Sequence, residues 1–430
     1  MHPLLQPAAQ VRGACSVLLG FDLQGHQQWR STMISRKISR RAFLSTGSVA
    51  IAATATPNWL EALTSRRRSA NHCIMLLLVG GPSHLDTWDM KPDAISSVRG
   101  PFRPISSNVS GIQVSEIFPR MAKLADKFAL VRSVHSRTRA LHNLGCQEIQ
   151  TGRVVRGMEF PHCGSIVSRF RHRNSLPGHV VLSSSVPDTD AGLLLGQSAG
   201  FMGKKYAPRI IPDLSPRRLT HVGEVPGEPR TRCFGQALDL EREPLRIRER
   251  YGHHEFGRAC LLARRLVERG VTFVTVNMVG SESGVDSWDI HGSLPFSKIG
   301  CYRDRIGPMF DNAYSALLED LHSRGLLANT LVLAVGEFGR TPRLNSGGGR
   351  DHWTGCWTAV FAGGGVRGGQ VIGSSDAIGA EPRDRPVGPA QIVATVYHAL
   401  GVPAGVCLSA PSGELVGIVE AGIEPIYELF

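Results

Sequence analysis

The sequence has little of what marks disulfide-stapled or nucleic-acid-binding proteins. None of its nine cysteines forms a C-x-x-C pair, and their number is odd, so neither a disulfide framework nor a zinc ribbon is expected. Aromatic residues make up only 7% of the chain, and it has no zinc-finger spacing and no aromatic RNA-binding signature. We therefore expect no nucleic-acid partner, and nucleic-acid binding is kept only as a third alternative because the chain is basic.

The 430 residues are 42% hydrophobic and 20% charged, which is typical of a globular protein with one large domain or two smaller ones. The formal net charge is +12. The basic residues are scattered along the chain and do not form one block. This distribution predicts a mildly electropositive surface that suits anionic small molecules or polysaccharides.

The N-terminal segment resembles a twin-arginine export signal. Residues 39–44 read SRRAFL, with the pair at Arg40 and Arg41, and a weakly apolar stretch with small residues follows to about residue 55. The alternative is a chance arginine pair before a short buried helix. We interpret residues 1–55 as an export signal with an N-terminal extension, and Met33 as a candidate true start. The segment is too short and too polar to predict a transmembrane span, and the expected location is the periplasm or the extracellular space.

After residue 72 the chain alternates between short apolar runs and helical patterns. Continuous apolar runs of this length are typical of strands buried on both faces of a parallel sheet. Predicted strands lie at 73–79, 128–134, 179–184, 271–278, 330–336 and 358–365, and predicted helices at 255–270, 309–325 and 390–403. The alternation predicts an α/β fold, an α/β/α sandwich with a mostly parallel, doubly wound sheet. A Pro-, Gly- and Arg-rich stretch at about 187–250 is interpreted as an insertion or lid.

Four polar loops follow four of these predicted strands. Because ligands bind beyond the carboxyl ends of parallel strands, we expect these loops to share one site. Their metal-capable residues are His84, Asp86 and Asp89; His135 and His142; Asp286, Asp289 and His291; and Glu337, Asp351 and His352. Carboxylates with imidazoles suit Zn, Mn or Mg, with Ca as a further option. The alternative is that each loop is only a capped turn.

Two arginines and three glycines flank this chemistry in the last loop. Arg340 or Arg350 could bind an anionic substrate with both arms of its guanidinium, or could hold Glu337 or Asp351 in an ion pair. The run of glycines at 347–349 is predicted to give slack to a loop that reaches over the site.

Several motifs together resemble the exported bacterial family of domain of unknown function 1501. They read VGGPSHLDTWDMKP, SWDIH, GEFGRTPRLN, GRDHW and AGGGVRGG, and the resemblance runs from about Cys73 to the C-terminus. That family looks like a divergent branch of the alkaline phosphatase and sulfatase superfamily. The resemblance implies an α/β/α core, two metal ions, and a Ser, Thr or modified Cys nucleophile at a helix start.

The superfamily pattern transfers to this chain only with departures. The resemblance implies metal ligands at Asp86, Asp289, His291, Glu337, Asp351 and His352, with Asp86 replacing a carboxylate where the chain has Gly80 and Gly81. At the nucleophile position, ten residues before Gly152, stands His142. His142 could be a metal ligand or a nucleophile, and Asn143 beside it could orient the substrate.

Two functions follow from these expectations. The first is an exported, metal-dependent hydrolase of phosphate or sulfate esters, in which His142 and Arg340 act on the substrate. The alternative is a non-catalytic scaffold of the same fold that binds an anionic polysaccharide.

Overall fold

The structure is a computed structural model that describes residues 69–172, 176–183, 194–215, 219, 229–279 and 287–430. The predicted export signal, the start at Met33 and Asp286 lie outside these residues, as does part of the insertion expected at 187–250. Those expectations stay predictions. Among the described helices, none is long and apolar enough to cross a membrane.

Eight strands form one sheet in the order β12-β4-β11-β8-β1-β7-β5-β6. The described strands are β1 His72–Leu78, β2 Pro104–Ser106, β3 Gln113–Ser115, β4 Phe128–Val134, β5 His179–Ser183, β6 Arg209–Ile211, β7 Phe273–Met278, β8 Thr330–Val335, β9 Gly339–Arg340, β10 His352–Trp353, β11 Trp357–Ala362, β12 Gln370–Ile372, β13 Ser374–Ser375, β14 Pro382–Asp384, β15 Cys407–Ser409 and β16 Leu415–Gly417. All the predicted strands are present within a few residues of their expected ends.

The centre of the sheet is the predicted one. β1 pairs in parallel with β7 on one side and with β8 on the other, so that Cys73 lies opposite both Phe273 and Leu331. Six of the seven β1 residues are buried. The strand is continuously apolar because helices cover both faces of the sheet.

Helices pack on both faces, which confirms the α/β/α sandwich. They are α1 Ser96–Arg99, α2 His142–Thr151, α3 Cys163–Arg171, α4 Pro229–Leu238, α5 Leu245–Tyr251, α6 Glu255–Glu268, α7 Gly307–Ser323 and α8 Pro389–Ala399. Alternate β1 residues enter different cores: Ile74 and Leu76 pack in the layer of α6 and α7, whereas Met75 and Leu77 pack in the layer of α2, α3 and α8. This alternation follows from the two-residue repeat of a strand.

One strand of the sheet runs against the others. β11 pairs antiparallel with both β4 and β8, whereas the other pairs within this sheet are parallel. The sequence could not predict this direction, because an apolar strand buried on both faces reads the same either way. The reversal places the start of β11 at the edge where β8 ends, so the segment between them leaves and re-enters the sheet on the same edge.

Candidate metal site

Residues from three segments meet at the carboxyl edge of the central strands. His142 is the first residue of α2, and Asp289 and His291 lie in the loop that follows β7. Glu337 comes directly after β8, and His352 lies on the returning arm that leads to β11. The helix begins at the predicted histidine and ends at Thr151 with Gly152 in the left-handed conformation, φ 79°.

Asp289 is the centre of this cluster. Its Oδ1 lies 3.0 Å from His291 Nε2 and 3.3 Å from His352 Nε2, and its Oδ2 lies 3.5 Å from His142 Nε2. Ligand atoms of His142, Asp289 and His352 all lie within 4.8 Å of one another. The structure thus brings together two predicted ligands and His142 in the space of one metal ion.

Each of the three imidazoles is anchored through its other ring nitrogen. Nδ1 of His142 lies 2.7 Å from Glu337 Oε1, Nδ1 of His291 lies 2.8 Å from Asp351 Oδ1, and Nδ1 of His352 lies 3.1 Å from the Ala140 carbonyl oxygen. A carboxylate or a carbonyl oxygen only accepts, so in each bond Nδ1 is the donor. This leaves the three Nε2 atoms directed at Asp289, which is the arrangement in which proteins present histidines to a metal.

Glu337 supports the cluster from behind and does not face it directly. Its side chain has no exposed area, and its Oε1 accepts hydrogen bonds from His142 Nδ1 and from the Gly80 N–H at 2.8 Å. Its Oε2 is buried and has no hydrogen-bond partner among the described residues. The residue predicted as a ligand therefore orients His142, and its second oxygen stays available.

Steric crowding explains why two glycines, Gly80 and Gly81, follow β1. Gly80 has φ +107°, and a Cβ on it would lie 2.7 Å from the Asp289 backbone nitrogen. Gly81 has φ +65°, and a Cβ there would lie 2.7 Å from the Phe338 ring. Only glycine allows the Asp289 and Phe338 backbones to approach this closely. The end of β1 thus supplies backbone groups to the site where the superfamily pattern would supply a carboxylate.

The expectation that Asp86 replaces that carboxylate is wrong for this structure. Asp86 is fully buried, and its Oδ2 accepts from Arg350 Nε at 2.6 Å and from Ser83 Oγ at 2.5 Å. Arg350 in turn donates to the carbonyl oxygens of Val98 and Pro342. The pair is removed from the cluster because Asp86 neutralises a guanidinium that fastens the returning arm of the 336–353 segment.

Arg340 positions Asp289 and has no N–H group left for a substrate anion. The side chain is fully buried and ion-paired with Asp289. Its other N–H groups donate to the carbonyl oxygens of Gly81 at 3.0 Å, of Arg350 at 3.0 Å and of Gly80, and Nη1 lies 3.5 Å from His291 Nε2. Arg340 therefore does not make the expected contact with an anionic substrate, because Asp289 and three backbone carbonyl oxygens accept the hydrogen bonds of its guanidinium.

The other metal-capable residues that the structure describes lie outside the three-residue group of His142, Asp289 and His352. His84 is buried and bonds to the Gly379 carbonyl oxygen at 2.7 Å, and Asp89 is ion-paired with Lys91 at 3.0 Å. Asp351 reaches the cluster through His291. Sequence reasoning also missed Phe338, whose ring lies 5.0 Å from that of His142 and 4.6 Å from that of His352. The signal that could have indicated its place at the site is that Phe338 is a large apolar residue within an otherwise polar loop.

The 336–353 segment closes on itself as a short hairpin. β9 pairs antiparallel with β10, so that Arg340 lies opposite His352, and Thr341 N donates to the Asp351 carbonyl oxygen at 2.9 Å. The chain turns through Asn345, whose side-chain oxygen accepts from the Gly347 and Gly349 N–H groups. The glycine run therefore forms the turn that returns His352 to Glu337.

The cluster strongly perturbs the pKa values of its members. Burial lowers the pKa of His142, but hydrogen bonds and charge attraction from Asp289 and Glu337 outweigh it and raise this pKa to about 9. Burial raises the pKa of Asp289, but hydrogen bonds from the three histidines and the charge of Arg340 outweigh burial and hold this pKa far below its ordinary value. The hydrogen bond with Asp289 raises the pKa of His291, whereas burial lowers that of His352. Without a cation, the site therefore holds a protonated His142 beside an ionised Asp289.

The donor set fits a divalent metal. Two imidazole nitrogens and one carboxylate oxygen are the protein ligands of many catalytic zinc sites, which keep a further position open for water or substrate. His142 Nε2, His352 Nε2 and Asp289 Oδ2 would supply these ligands, since Asp289 Oδ1 is occupied by Arg340. His291 Nε2 lies 3.0 Å from His352 Nε2 and is a fourth candidate.

A family model matches most of the chain. The family described as "Protein of unknown function (DUF1501)" matches residues 70–232 and 231–430. No curated protein sequence matches this chain.

The chain is also similar to several solved structures at low identity. The lipoteichoic acid synthase LtaP from Listeria monocytogenes is 10% identical, with a TM-score of 0.40, 79% of this chain and 74% of that chain being covered. The PsFucS1 sulfatase from Pseudoalteromonas sp. is 13% identical, with a TM-score of 0.39 and coverage of 80% and 70%. A protein in the alkaline phosphatase superfamily from Vibrio parahaemolyticus is 11% identical, with a TM-score of 0.42 and coverage of 78% and 67%. At these values neither a substrate nor a mechanism passes from those proteins to this chain.

Proposed function

Because the chain belongs to the DUF1501 family, whose description assigns no activity, we propose its function from the site itself: an exported hydrolase of phosphate or sulfate esters that depends on a divalent metal. The observation that carries this proposal is the convergence of three Nε2 atoms on Asp289, each imidazole being fixed through Nδ1. A chain that used these residues only to cap turns would not need three anchored imidazoles around one carboxylate.

The residues divide between holding a metal and holding its ligands. His142, His352 and Asp289 would bind the ion, Glu337 and Asp351 fix two of the imidazoles, and Arg340 fixes Asp289. When bound, a divalent ion lowers the pKa of a coordinated water and neutralises an ester oxyanion. The N-terminus of α2, which begins at His142, adds the positive end of a helix dipole to the same place.

His142 is placed as a ligand in this proposal. Its Nδ1–H is given to Glu337 and its Nε2 faces Asp289 and His352, so neither nitrogen points away from the cluster toward a substrate. A phosphohistidine nucleophile would need Nε2 free of a metal. Trapping of a phosphorylated His142 with an aryl phosphate would therefore contradict the ligand role.

The alternative function is a non-catalytic scaffold that binds an anionic polysaccharide. It is favoured by the start of α2, where the sequence reads HNLGC and His142 occupies the place at which the superfamily pattern has its nucleophile. A metal site without a nucleophile could hold a sulfate group without cleaving it.

Metal content and turnover together test the proposal. The purified protein should contain about one divalent ion or more per chain, and Asp289→Asn and His352→Gln should lose it. His253→Gln is the matched control, since His253 is an exposed histidine outside the cluster. The metal-loaded wild type should cleave members of a panel of aryl phosphates and aryl sulfates. A metal-free wild type would overturn the proposal, and bound metal with no turnover but binding of dextran sulfate would favour the scaffold.

Export is tested separately. The pair Arg40 and Arg41 is the part of the signal that the twin-arginine route reads. Replacing both with Lys should leave the precursor in the cytoplasm, whereas a chain shortened to begin at Met33 should still be exported. Unchanged export of the double Lys variant would contradict this part of the proposal.

A further inference from the structure

We propose that the face around the metal cluster docks on an anionic lipid bilayer, with the loop at 293–296 entering the interface. This surface, here called the rim, consists of the exposed apolar side chains Leu141, Leu294 and Phe296 and the exposed cations Arg137, Arg139 and Lys298. The inference goes beyond the proposed hydrolase, since docking does not depend on whether the cluster binds metal or turns over.

The apolar part of the rim is exposed although the chain has a large core. Leu294 is 82% exposed, the highest value among the large apolar side chains that the structure describes, and Leu141 and Phe296 are 43% and 42% exposed. Exposed apolar side chains are common singly, but three around one ligand cluster indicate an interaction surface.

Contacts place these side chains beside the cluster. The Phe296 ring lies 4.5 Å from the His291 ring, and Leu141 directly precedes His142. The His291 and His142 rings lie 4.7 Å and 4.4 Å from the His352 ring. Leu141 and Phe296 therefore flank the same small cluster from two different loops.

The loop that carries Leu294 is held at its base and projects at its tip. Gly292 N donates to the Ser297 carbonyl oxygen at 3.0 Å, and Ser297 N donates to the Asp289 carbonyl oxygen at 3.2 Å. Within the tip, Phe296 N donates to the Ser293 carbonyl oxygen at 2.9 Å. A loop fixed by its own backbone bonds can insert a leucine into a bilayer with little ordering cost.

The cations of the rim fit the headgroups of an anionic bilayer. Within the described residues, no acidic side chain pairs with Arg137, Arg139 or Lys298 in a salt bridge. Asp351, an acid on the neighbouring hairpin, is paired with His291 at 2.8 Å. The whole chain carries a net charge of +12 in addition. Cations beside exposed apolar side chains are the combination that holds peripheral proteins at anionic membranes.

A lipid surface explains the rim better than a soluble polysaccharide. Sugars bind through hydrogen bonds and aromatic faces, whereas Leu294 and Leu141 offer neither. Leu294 is four-fifths exposed, and moving its aliphatic side chain from water into bilayer hydrocarbon is favourable.

Vesicle sedimentation with the full chain tests the proposal. We expect the protein to bind vesicles of equal parts phosphatidylcholine and phosphatidylglycerol, and to bind phosphatidylcholine vesicles weakly. The affinity of the double variant Leu294→Glu/Phe296→Glu for the anionic vesicles should fall by about tenfold or more. Leu415→Glu, the same change at a leucine that is 70% exposed on β16, is the matched control and should bind like the wild type.

A second variant and a competitor complete the test. Arg137→Gln/Arg139→Gln should lose most of the preference for phosphatidylglycerol, and added salt should have less effect on this variant than on the wild type. All variants share the same N-terminal segment, so a difference between them reports on the rim. Equal binding by the Leu294→Glu/Phe296→Glu variant and the control would overturn the proposal, as would binding to dextran sulfate with none to vesicles. Because vesicle binding is measured with the metal chelated as well as present, its failure is distinguishable from failure of the hydrolase proposal.

Discussion

Arg340 holds the carboxylate at the centre of the cluster in place. It is fully buried and bridges Asp289 to the carbonyl oxygens of Gly80 and Gly81. Arg340→Met would leave Asp289 partly buried without its guanidinium, so we expect a loss of about 3–5 kcal/mol in the free energy of unfolding. Arg340→Lys keeps the charge but not the fork, and should recover only part of this loss. Chemical denaturation measures both.

The control for Arg340 is Arg343, three residues further on the same hairpin and exposed. Arg343→Met should change the free energy of unfolding by less than about 0.5 kcal/mol. An equal loss in the two Met variants would show that Arg340 has no special part in holding the site.

His142 predicts how the stability of the metal-free protein varies with pH. Its pKa is raised from 6.5 to about 9 in the folded state. A group whose folded pKa is raised stabilises the protein fully below its unfolded pKa, and this contribution is lost as pH rises through the folded value. With metal chelated, we expect the free energy of unfolding to fall by roughly 2–3 kcal/mol between about pH 6.5 and about pH 9.

The same fall should be much smaller in His142→Gln, because the titrating imidazole is gone. Urea unfolding at several pH values compares the two proteins, and cysteine ionisation at the alkaline end affects both alike. Parallel curves would show that His142 is not the group responsible. Metal binding must displace the proton from His142, so metal affinity should rise over the same pH range.

Gly80 shows how an element of the sheet constrains the site. β1 ends at Leu78, and the chain then passes so close to Asp289 that a methyl group would lie 2.7 Å from its backbone nitrogen. Gly80→Ala adds this clash to the strain of φ +107°. We expect about 2–4 kcal/mol lost in the free energy of unfolding and a metal affinity lowered by about tenfold or more, because Asp289 must move.

Gly111 provides the matched comparison for Gly80. It also has a positive φ, +82°, but no atom of the described residues lies within 4 Å of the place where its Cβ would be. Gly111→Ala should cost only about 1 kcal/mol and leave metal binding unchanged. Denaturation and metal titration of both variants separate backbone strain from steric exclusion, and similar metal affinities would contradict the role given to Gly80.

The sequence predicted the elements well because their signals are local. β4 was expected at 128–134 and spans Phe128–Val134, and α6 was expected at 255–270 and spans Glu255–Glu268. Apolar runs and glycine stops carry this information along the chain. The direction of β11 could not be predicted, because pairing partners are not written in a strand that is buried on both faces.

For the site, the sequence predicted the residue types and the sheet edge but not the role of each residue. His142, Asp289, His291 and His352 converge as expected. Asp86 and Arg340 did not take their expected roles, because each forms an ion pair with a residue far away in sequence. Asp86 pairs with Arg350, and Arg340 pairs with Asp289. Two acids and two arginines on neighbouring loops can pair in more than one way, and only the packed chain decides between them.

Over the whole molecule, buried charges occur at the helix layer as well as at the site. Arg264 on α6 is fully buried and lies 2.8 Å from Glu243, 2.7 Å from Glu268 and 2.9 Å from Asp320. This network joins α6 to α7 on the face opposite to α2 and α8. The carboxylates of this network raise the pKa of Arg264, although the network contains none of the residues of the metal cluster, so a perturbed pKa alone does not identify a functional site.

Because β11 is reversed, the chain between β8 and β11 leaves and re-enters the sheet at the edge that carries the cluster, and two arginines fasten this segment, with Arg340 also donating to the Arg350 carbonyl oxygen. The outgoing arm is tied down by Arg340 and the returning arm by Arg350, and both side chains are fully buried. Between them the turn at Ser346, Gly347 and Gly348 is exposed. This exposed turn is therefore a suitable place to cut or lengthen the chain. A protein opened there, or carrying a short tag there, should keep both arms seated and the imidazoles in place, so that a reporter could be inserted beside the site without dismantling it.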